Sequence, residues 1–176
     1  SFFDGISGKI KQKLEWKGSL VSMVLSPNSD IVVCGSQDNT IHFWRRSTEQ
    51  DSMMSGYPLK PLALSFDETG NYLATGGSMD VTIWSFKGNG PEGTSPLSLK
   101  LHKRPITTLA FANRGMNLAS GSRDGNVVLW DLKSENEESG LSETSVSDSV
   151  SKLYWSPDDK ALAGLDKQGG VTVWRV

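Results

Sequence analysis

Four tryptophans, Trp44, Trp84, Trp130 and Trp174, stand 40, 46 and 44 residues apart, and each closes a similar string: TIHFW, VTIW, NVVLW and GVTVW. That spacing constrains the fold more than any other feature of the chain. A unit repeated at such a period buries its apolar side chains only against the next copy, so the chain must stack repeats side by side. The strings alternate β-branched or aromatic residues, which is the period of a strand. The fullest copy of the unit runs from Leu101 to Asp131, LHKRPITTLAFANRGMNLASGSRDGNVVLWD. Ile106, Thr108 and Ala110 alternate with Thr107, Leu109 and Phe111; Leu118 to Ser120 and Val127 to Trp130 form two further short runs. Asn113, Arg114 and Gly115, then Gly121 to Asn126, separate them with residues that tolerate positive φ. The unit reads as a small antiparallel meander.

This unit resembles the WD-repeat β-propeller family, whose repeat carries a His, a Ser or Thr, an Asp and a closing Trp-Asp in that order. The matching residues are His102, Ser120, Asp124, Trp130 and Asp131. Repeats of this type run about 40 to 45 residues, so the middle interval carries a small insertion. The resemblance covers the chain from Phe3 to Trp174. It implies an all-β fold: four propeller blades of four-stranded antiparallel meanders, the C-terminal part of a ring of about seven. Residues 1–16 are expected to end a preceding blade and supply its fourth strand. Residues 17–56, 57–101, 102–145 and 146–176 are the four blades, the last ending on its third strand. A piece of a ring would expose sheet edges that pair with missing blades or with another chain. A four-blade closure and a ring made by two chains are the alternatives.

The other units depart from the fullest copy. Before the first, Ile10, Gln12, Leu14 and Trp16 alternate with Lys11, Lys13 and Glu15; Ile10 and Leu14 also suit a helix, but the repeat favours a strand over 9–16. In the first unit Trp16 replaces His102 and Cys34 replaces Ser120, while Asp38 and Trp44 match. The second has Tyr57 at the His position and Thr75 at the Ser position. Its second turn is one residue short, which puts Met79 at the Asp position and displaces Asp80. In the fourth, Gly164 and Gln168 replace Ser120 and Asp124, and only Trp174 survives. Residues 133–148, with Glu135, Glu137, Glu138, Glu143 and Asp148 against Lys133, read as a solvated loop with a weak outer strand over 141–146; its serines beside acids are candidate phosphorylation sites.

Several chemistries are disfavoured. Gly88, Gly90 and Gly93 spell G-x-G-x-x-G, but Pro91 and Pro96 and the alternating Leu97, Leu99 and Leu101 follow where a dinucleotide loop requires a helix N-terminus. Ser, His and Asp are the members of a hydrolase triad, yet no G-x-S-x-G elbow surrounds Ser120. In the resembled family these groups form a buried hydrogen-bonded chain that ties the loop entering a blade to its third strand. The quartet His102, Ser120, Asp124 and Trp130 is therefore read as structural. Removing Asp124 is then expected to cost about 1 to 3 kcal/mol, the usual penalty for leaving buried partners unpaired. With two histidines and one cysteine and no repeated ligand spacing, no metal site and no cofactor are expected; His42 reads as a residue at a sheet surface. No apolar run approaches the ~18 residues of a membrane helix, so the chain is expected to be soluble and away from membranes. A net charge of -2 argues against nucleic acid as the partner. Composition, with 36% hydrophobic and 22% charged residues, is that of a folded domain.

The site is accordingly expected to be a surface. In a propeller, the loops entering each blade and the turns between its second and third strands gather on one face. By alignment the entering loops supply Trp16, Lys17, Tyr57, Lys60, Lys103 and Arg104, and the second turns supply Gln37, Met79, Arg123 and Lys167. Aromatic and basic residues of this kind anchor protein interfaces and hold acidic or phosphorylated peptides. The reading is a non-enzymatic scaffold for protein-protein interaction inside the cell, in cytoplasm or nucleus. Its alternative is a recognition domain of a larger protein whose catalytic part lies elsewhere.

Overall fold

A computed structural model describes residues 1–133 and 140–176. It is all-β: the described residues contain seventeen strands and no helix. The chain opens with a two-stranded antiparallel pair, β1 (Phe2–Phe3) and β2 (Ile10–Gln12). Sheet one follows, with β3 (Leu20–Leu25), β4 (Ile31–Ser36), β5 (Ile41–Arg45) and β6 (Gln50–Met54). Sheet two has β7 (Ala63–Phe66), β8 (Tyr72–Gly76), β9 (Asp80–Ser85) and β10 (Leu97–Lys100). Sheet three has β11 (Ile106–Phe111), β12 (Asn117–Ser122), β13 (Asn126–Asp131) and β14 (Gly140–Ser145). Sheet four has β15 (Val150–Trp155), β16 (Ala161–Asp166) and β17 (Val171–Arg175). Each is an antiparallel meander whose strands pair in chain order. The expected strand over 9–16 is shorter, ending at Gln12. Ser134, Glu135, Glu137, Glu138 and Ser139 of the acidic stretch lie outside the described residues; its outer strand is β14.

The core lies in layers between successive sheets, because strand alternation sends neighbouring side chains to opposite faces. Val33, Ile41 and Phe43 of sheet one pack on Phe66, Leu73 and Trp84 of sheet two. Val81, Ile83 and Leu99 meet Ile106, Leu118 and Trp130 across the next gap, and Ala119 and Val127 meet Val150, Leu153 and Leu162 across the last. The first strands β3, β7, β11 and β15 run side by side along the inner edge. One glycine position makes this approach possible. A Cβ on Gly35 would stand 2.1 Å from the Pro61 carbonyl oxygen, one on Gly76 2.7 Å from Ile106 Cγ2, and one on Gly121 2.6 Å from Val150 Cγ1. Each of these residues directly follows Cys34, Thr75 or Ser120, so the second strand of one sheet touches the entrance of the next. In the fourth sheet Leu165 stands at that position.

The G-x-G-x-x-G stretch forms the connection between β9 and β10 and contains no helix. Gly88, Gly90 and Gly93 have φ of 60°, 96° and 73°, a region costly for other residues. Arg45 fills the space beside Gly90 and donates from Nη2 to the Asn89 carbonyl at 2.7 Å. Gly90 thus seats an arginine from the neighbouring sheet.

Candidate functional site

Backbone hydrogen bonds bring the entering loops and the second turns together. Gln37 N–H donates to the Ser19 carbonyl at 2.9 Å, Arg123 to Pro105 at 3.0 Å and Lys167 to Ser149 at 3.0 Å. Sheet two lacks this bond, and its shortened turn instead presses Gly77 on the entering loop; a Cβ there would stand 2.8 Å from both the Leu59 oxygen and Tyr57 Cδ1. One end of the sheets therefore carries all of these segments.

Beneath that face, three positions hold each tryptophan differently. In sheet three Trp130 Nε1 donates to Ser120 Oγ at 2.7 Å, and Ser120 Oγ lies 2.6 Å from His102 Nε2. Ser120 Oγ accepts from Trp130, and which partner donates between Ser120 and Nε2 follows the tautomer of His102. His102 Nδ1 is buried without a partner. Burial lowers the His102 pKa, and the Asp124 and Glu143 carboxylates oppose the shift. Asp124 is not part of the hydrogen-bonded chain. Its carboxylate accepts from Ser122 Oγ and from the Asn126 amide in an exposed turn, and the Ser122 bond is the main cause of its lowered pKa. The expected quartet is a buried trio with Asp124 outside it, because Ser122 lies nearer in the turn than the imidazole.

In sheet two Trp84 Nε1 donates to Tyr57 Oη at 2.6 Å, Tyr57 Oη lies 2.8 Å from Thr75 Oγ1, and Thr75 Oγ1 donates to the Thr82 carbonyl at 3.3 Å. Burial pushes the Tyr57 phenol up to about 12, against the lowering effect of its bonds to Thr75 and Trp84. In sheet one no such chain exists. Trp16 stacks on His42, ring centroids 3.2 Å apart, beside Cys34 and Trp44. His42 is 3% exposed and neither ring nitrogen has a partner. The expectation of a surface histidine is therefore overturned: Trp16 covers it. Burial lowers the His42 pKa, opposed by Asp51 and Asp38, and pushes the Cys34 thiol up to about 11, which leaves it little nucleophilic character. In sheet four the Trp174 ring lies over Gly164, within 2.8 Å of where a Cβ would stand.

These arrangements sort the expected surface residues. Trp16 and Tyr57 are half-buried and committed inward, whereas Lys17, Gln37, Lys60, Met79, Lys103, Arg104, Arg123 and Lys167 are exposed. Lys60, Arg123 and Lys167, contributed by three sheets, line one cleft of about 490 Å³. Its other walls include Asn39, Leu59, Leu62, Pro105, Ile106, Thr107, Val150 and Ser151, and no carboxylate lines it. None of the three cations is in an ion pair among the described residues. Lys17, Gln37, Met79, Lys103 and Arg104 do not line the cleft. The half-exposed Leu59 and Leu62 were not anticipated, because isolated leucines in a loop carry no periodic signal. Among the described residues no group of three or more metal-ligating side chains occurs, and no helix is long and apolar enough to cross a membrane.

The sequence pattern of the "WD domain, G-beta repeat" matches residues 8–45 and 93–131. The solved "Structure of U3-55K" superposes with a TM-score of 0.76 over 92% of this chain and 50% of that one. The chain belongs to the WD-repeat family. Its four meanders are propeller blades, and the face just described is the one that carries the entering loops. At 20% identity the likeness to that solved chain speaks for the fold alone. Among curated relatives, the "Protein LST8 homolog" of Drosophila melanogaster is 30% identical over 112 residues, 63% of this chain and 34% of that protein. The "Periodic tryptophan protein 2 homolog" of Neurospora crassa is 31% identical over 127 residues, 70% of this chain and 14% of that protein. The chain spans about a third of the fly protein and a smaller share of the fungal one. WD repeats suggest a protein-interaction scaffold, and the family is generally non-catalytic.

Proposed function

We propose that this WD-repeat chain is a non-catalytic scaffold that binds a protein or peptide through the entering-loop face, and that the bound segment is acidic or phosphorylated. The observation that carries this reading is the cleft where Lys60, Arg123 and Lys167 converge from three blades without a carboxylate among them. Unpaired cations around a partly apolar floor favour an anionic group set beside an apolar side chain. The protein acts inside the cell, a reading supported by a relative of this chain named "Target of rapamycin complex subunit wat1". The 14% share of the Neurospora crassa relative supports a second reading, in which these blades are the recognition part of a much longer chain.

The test is affinity capture from cell extract with the full-length protein, wild type against Arg123→Glu plus Lys167→Glu. Loss of a defined set of bound proteins is expected, while Lys17→Glu, which lies outside the cleft, retains them. An unchanged set would refute the choice of cleft. If the captured material is nucleic acid, with affinity falling steeply with salt, the protein-partner reading fails.

A further inference from the structure

A second pocket opens on the same face, in the crevice between the first and second blades. It has a volume of about 330 Å³, and its walls include Tyr57, Trp84, Ser55, Ser78 and Ser98, with Asp80 as its one charged lining residue. Asp80 is half-buried at the start of β9. It points to the same side as Thr82 and Trp84, as strand alternation requires. The missing turn residue of this blade is what places it there. In the third blade the turn carboxylate, Asp124, lies out on Ser122, whereas the displaced Asp80 accepts a hydrogen bond from Ser98 Oγ at 3.2 Å deeper along the strand. The nearest cation in the register is Lys100, opposite Asp80 on β10 and exposed, but the two are not an ion pair. A half-buried carboxylate with one neutral hydrogen bond, walled by an aromatic ring and serine hydroxyls, is short of positive charge.

We infer that this pocket seats a basic side chain, lysine or arginine, of a bound peptide, with Asp80 as its counter-charge and Tyr57 and Trp84 as its apolar wall. The methylenes of such a side chain bury along the aromatic rings while the head reaches the carboxylate and the hydroxyls of Ser78 and Ser98. The loop Tyr57–Lys60 separates the pocket from the cationic cleft: Tyr57 and Pro58 line one, Leu59 and Lys60 the other, and Gly77 lines both. Two neighbouring seats of opposite charge fix the direction in which an extended partner lies, since reversing it sets like charges against each other. The pocket is a site separate from the cleft and stands or falls without it.

The decisive experiment is ligand-observed saturation-transfer NMR on the full-length protein with three blocked tripeptides whose central residue is lysine, arginine or norleucine. Transfer to the methylenes of lysine or arginine, well above that to norleucine, is expected, and the two basic arms show which head the pocket prefers. Asp80→Asn, which keeps an acceptor for Ser98, is expected to weaken the basic peptide about fivefold, the scale of one partly exposed charge pair. Asp80→Glu restores binding, and Lys100→Ala leaves it unchanged or tighter. Equal transfer from norleucine, or undiminished binding by a folded Asp80→Asn, overturns the assignment. Arg123→Glu plus Lys167→Glu is expected to leave these peptides bound, so a failed cleft and a failed pocket give different results.

Discussion

Blades two and three hold their tryptophans from the same three positions, yet the hydrogen bonds are wired differently. In blade three the hub is Ser120, on the strand: it accepts from Trp130 and serves His102. In blade two the hub is Tyr57, on the loop: it accepts from Trp84 and serves Thr75, whose own proton ends on the Thr82 carbonyl. Blade two thus closes its chain on a backbone acceptor, whereas blade three ends at an unpartnered Nδ1. The residue that looks like a loss of the family pattern, Tyr57, completes the chain better than the histidine does. Matching a motif letter by letter is therefore a poor guide to how firmly a blade is tied; what counts is whether every donor finds an acceptor.

The sharpest way to break this comparison is to remove each hub. Ser120→Ala leaves two buried groups, Trp130 Nε1 and His102 Nε2, without partners and is expected to lower stability by about 2 to 4 kcal/mol. Tyr57→Phe strands only Trp84 Nε1, because Thr75 retains Thr82, and about 1 to 2 kcal/mol is expected. Denaturant midpoints at unchanged slope measure both; equal losses would mean that the wiring does not matter. The two blades should also weaken at opposite ends of the pH scale. Burial holds the His102 pKa below its ordinary value, so the unfolded chain binds more protons and blade three loses stability as pH falls below about 6.5. Tyr57 is shifted upward, so its contribution is complete below about 10 and is lost as pH rises from there towards about 12. His102→Gln should flatten the acid side of the stability profile and Tyr57→Phe the alkaline side. His42, buried under Trp16, supplies a second acid-sensitive group, so some acid slope persists in His102→Gln. The smallest effect is expected for Asp124→Ala, within about 0.5 kcal/mol, because the residue is exposed and outside the trio. A loss of 2 kcal/mol in urea melts would return Asp124 to the buried chain.

The tryptophan period and the turn residues were enough to lay out the meanders, since both are local patterns with a direct backbone cause. The same alignment put Tyr57 and Thr75 at the positions where they meet in space. It misjudged Asp124 and His42, whose surroundings depend on which competing partner is nearer: Ser122 in one case, the Trp16 ring in the other. The cleft was legible only in part. Lys60, Arg123 and Lys167 follow from their places in loops and turns, but their convergence, and the leucines between them, arises from the packing of three blades. Asp80 was recognised as displaced by one residue; where it points required the pairing of β9 with β10. The glycines at 35, 76 and 121 repeat in the sequence, yet their reason lies in contacts with the next blade.

On the side away from the cleft, Asn113 N–H and Nδ2, together with Arg114 N–H, donate to the Asp159 carboxylate at 2.7–2.9 Å, and Gly115 N–H donates to Glu68 Oε1 at 2.7 Å. One short turn of blade three thereby staples the corresponding turns of blades two and four. The cleft side also ties neighbours, Asn39 Nδ2 donating to the Pro58 carbonyl at 3.4 Å and Ile106 N–H to the Ser78 carbonyl at 2.9 Å, but each of those bonds joins one pair of blades, whereas the 113–115 turn holds two neighbours at once. A loop grafted at Gln168, whose bonds to Asp166 and Asp148 stay within blade four, should be accepted with the remaining blades undisturbed, while a single insertion at Arg114 would shift two neighbours at once. The double staple marks the face away from the cleft as the frame to leave intact when this chain is redesigned.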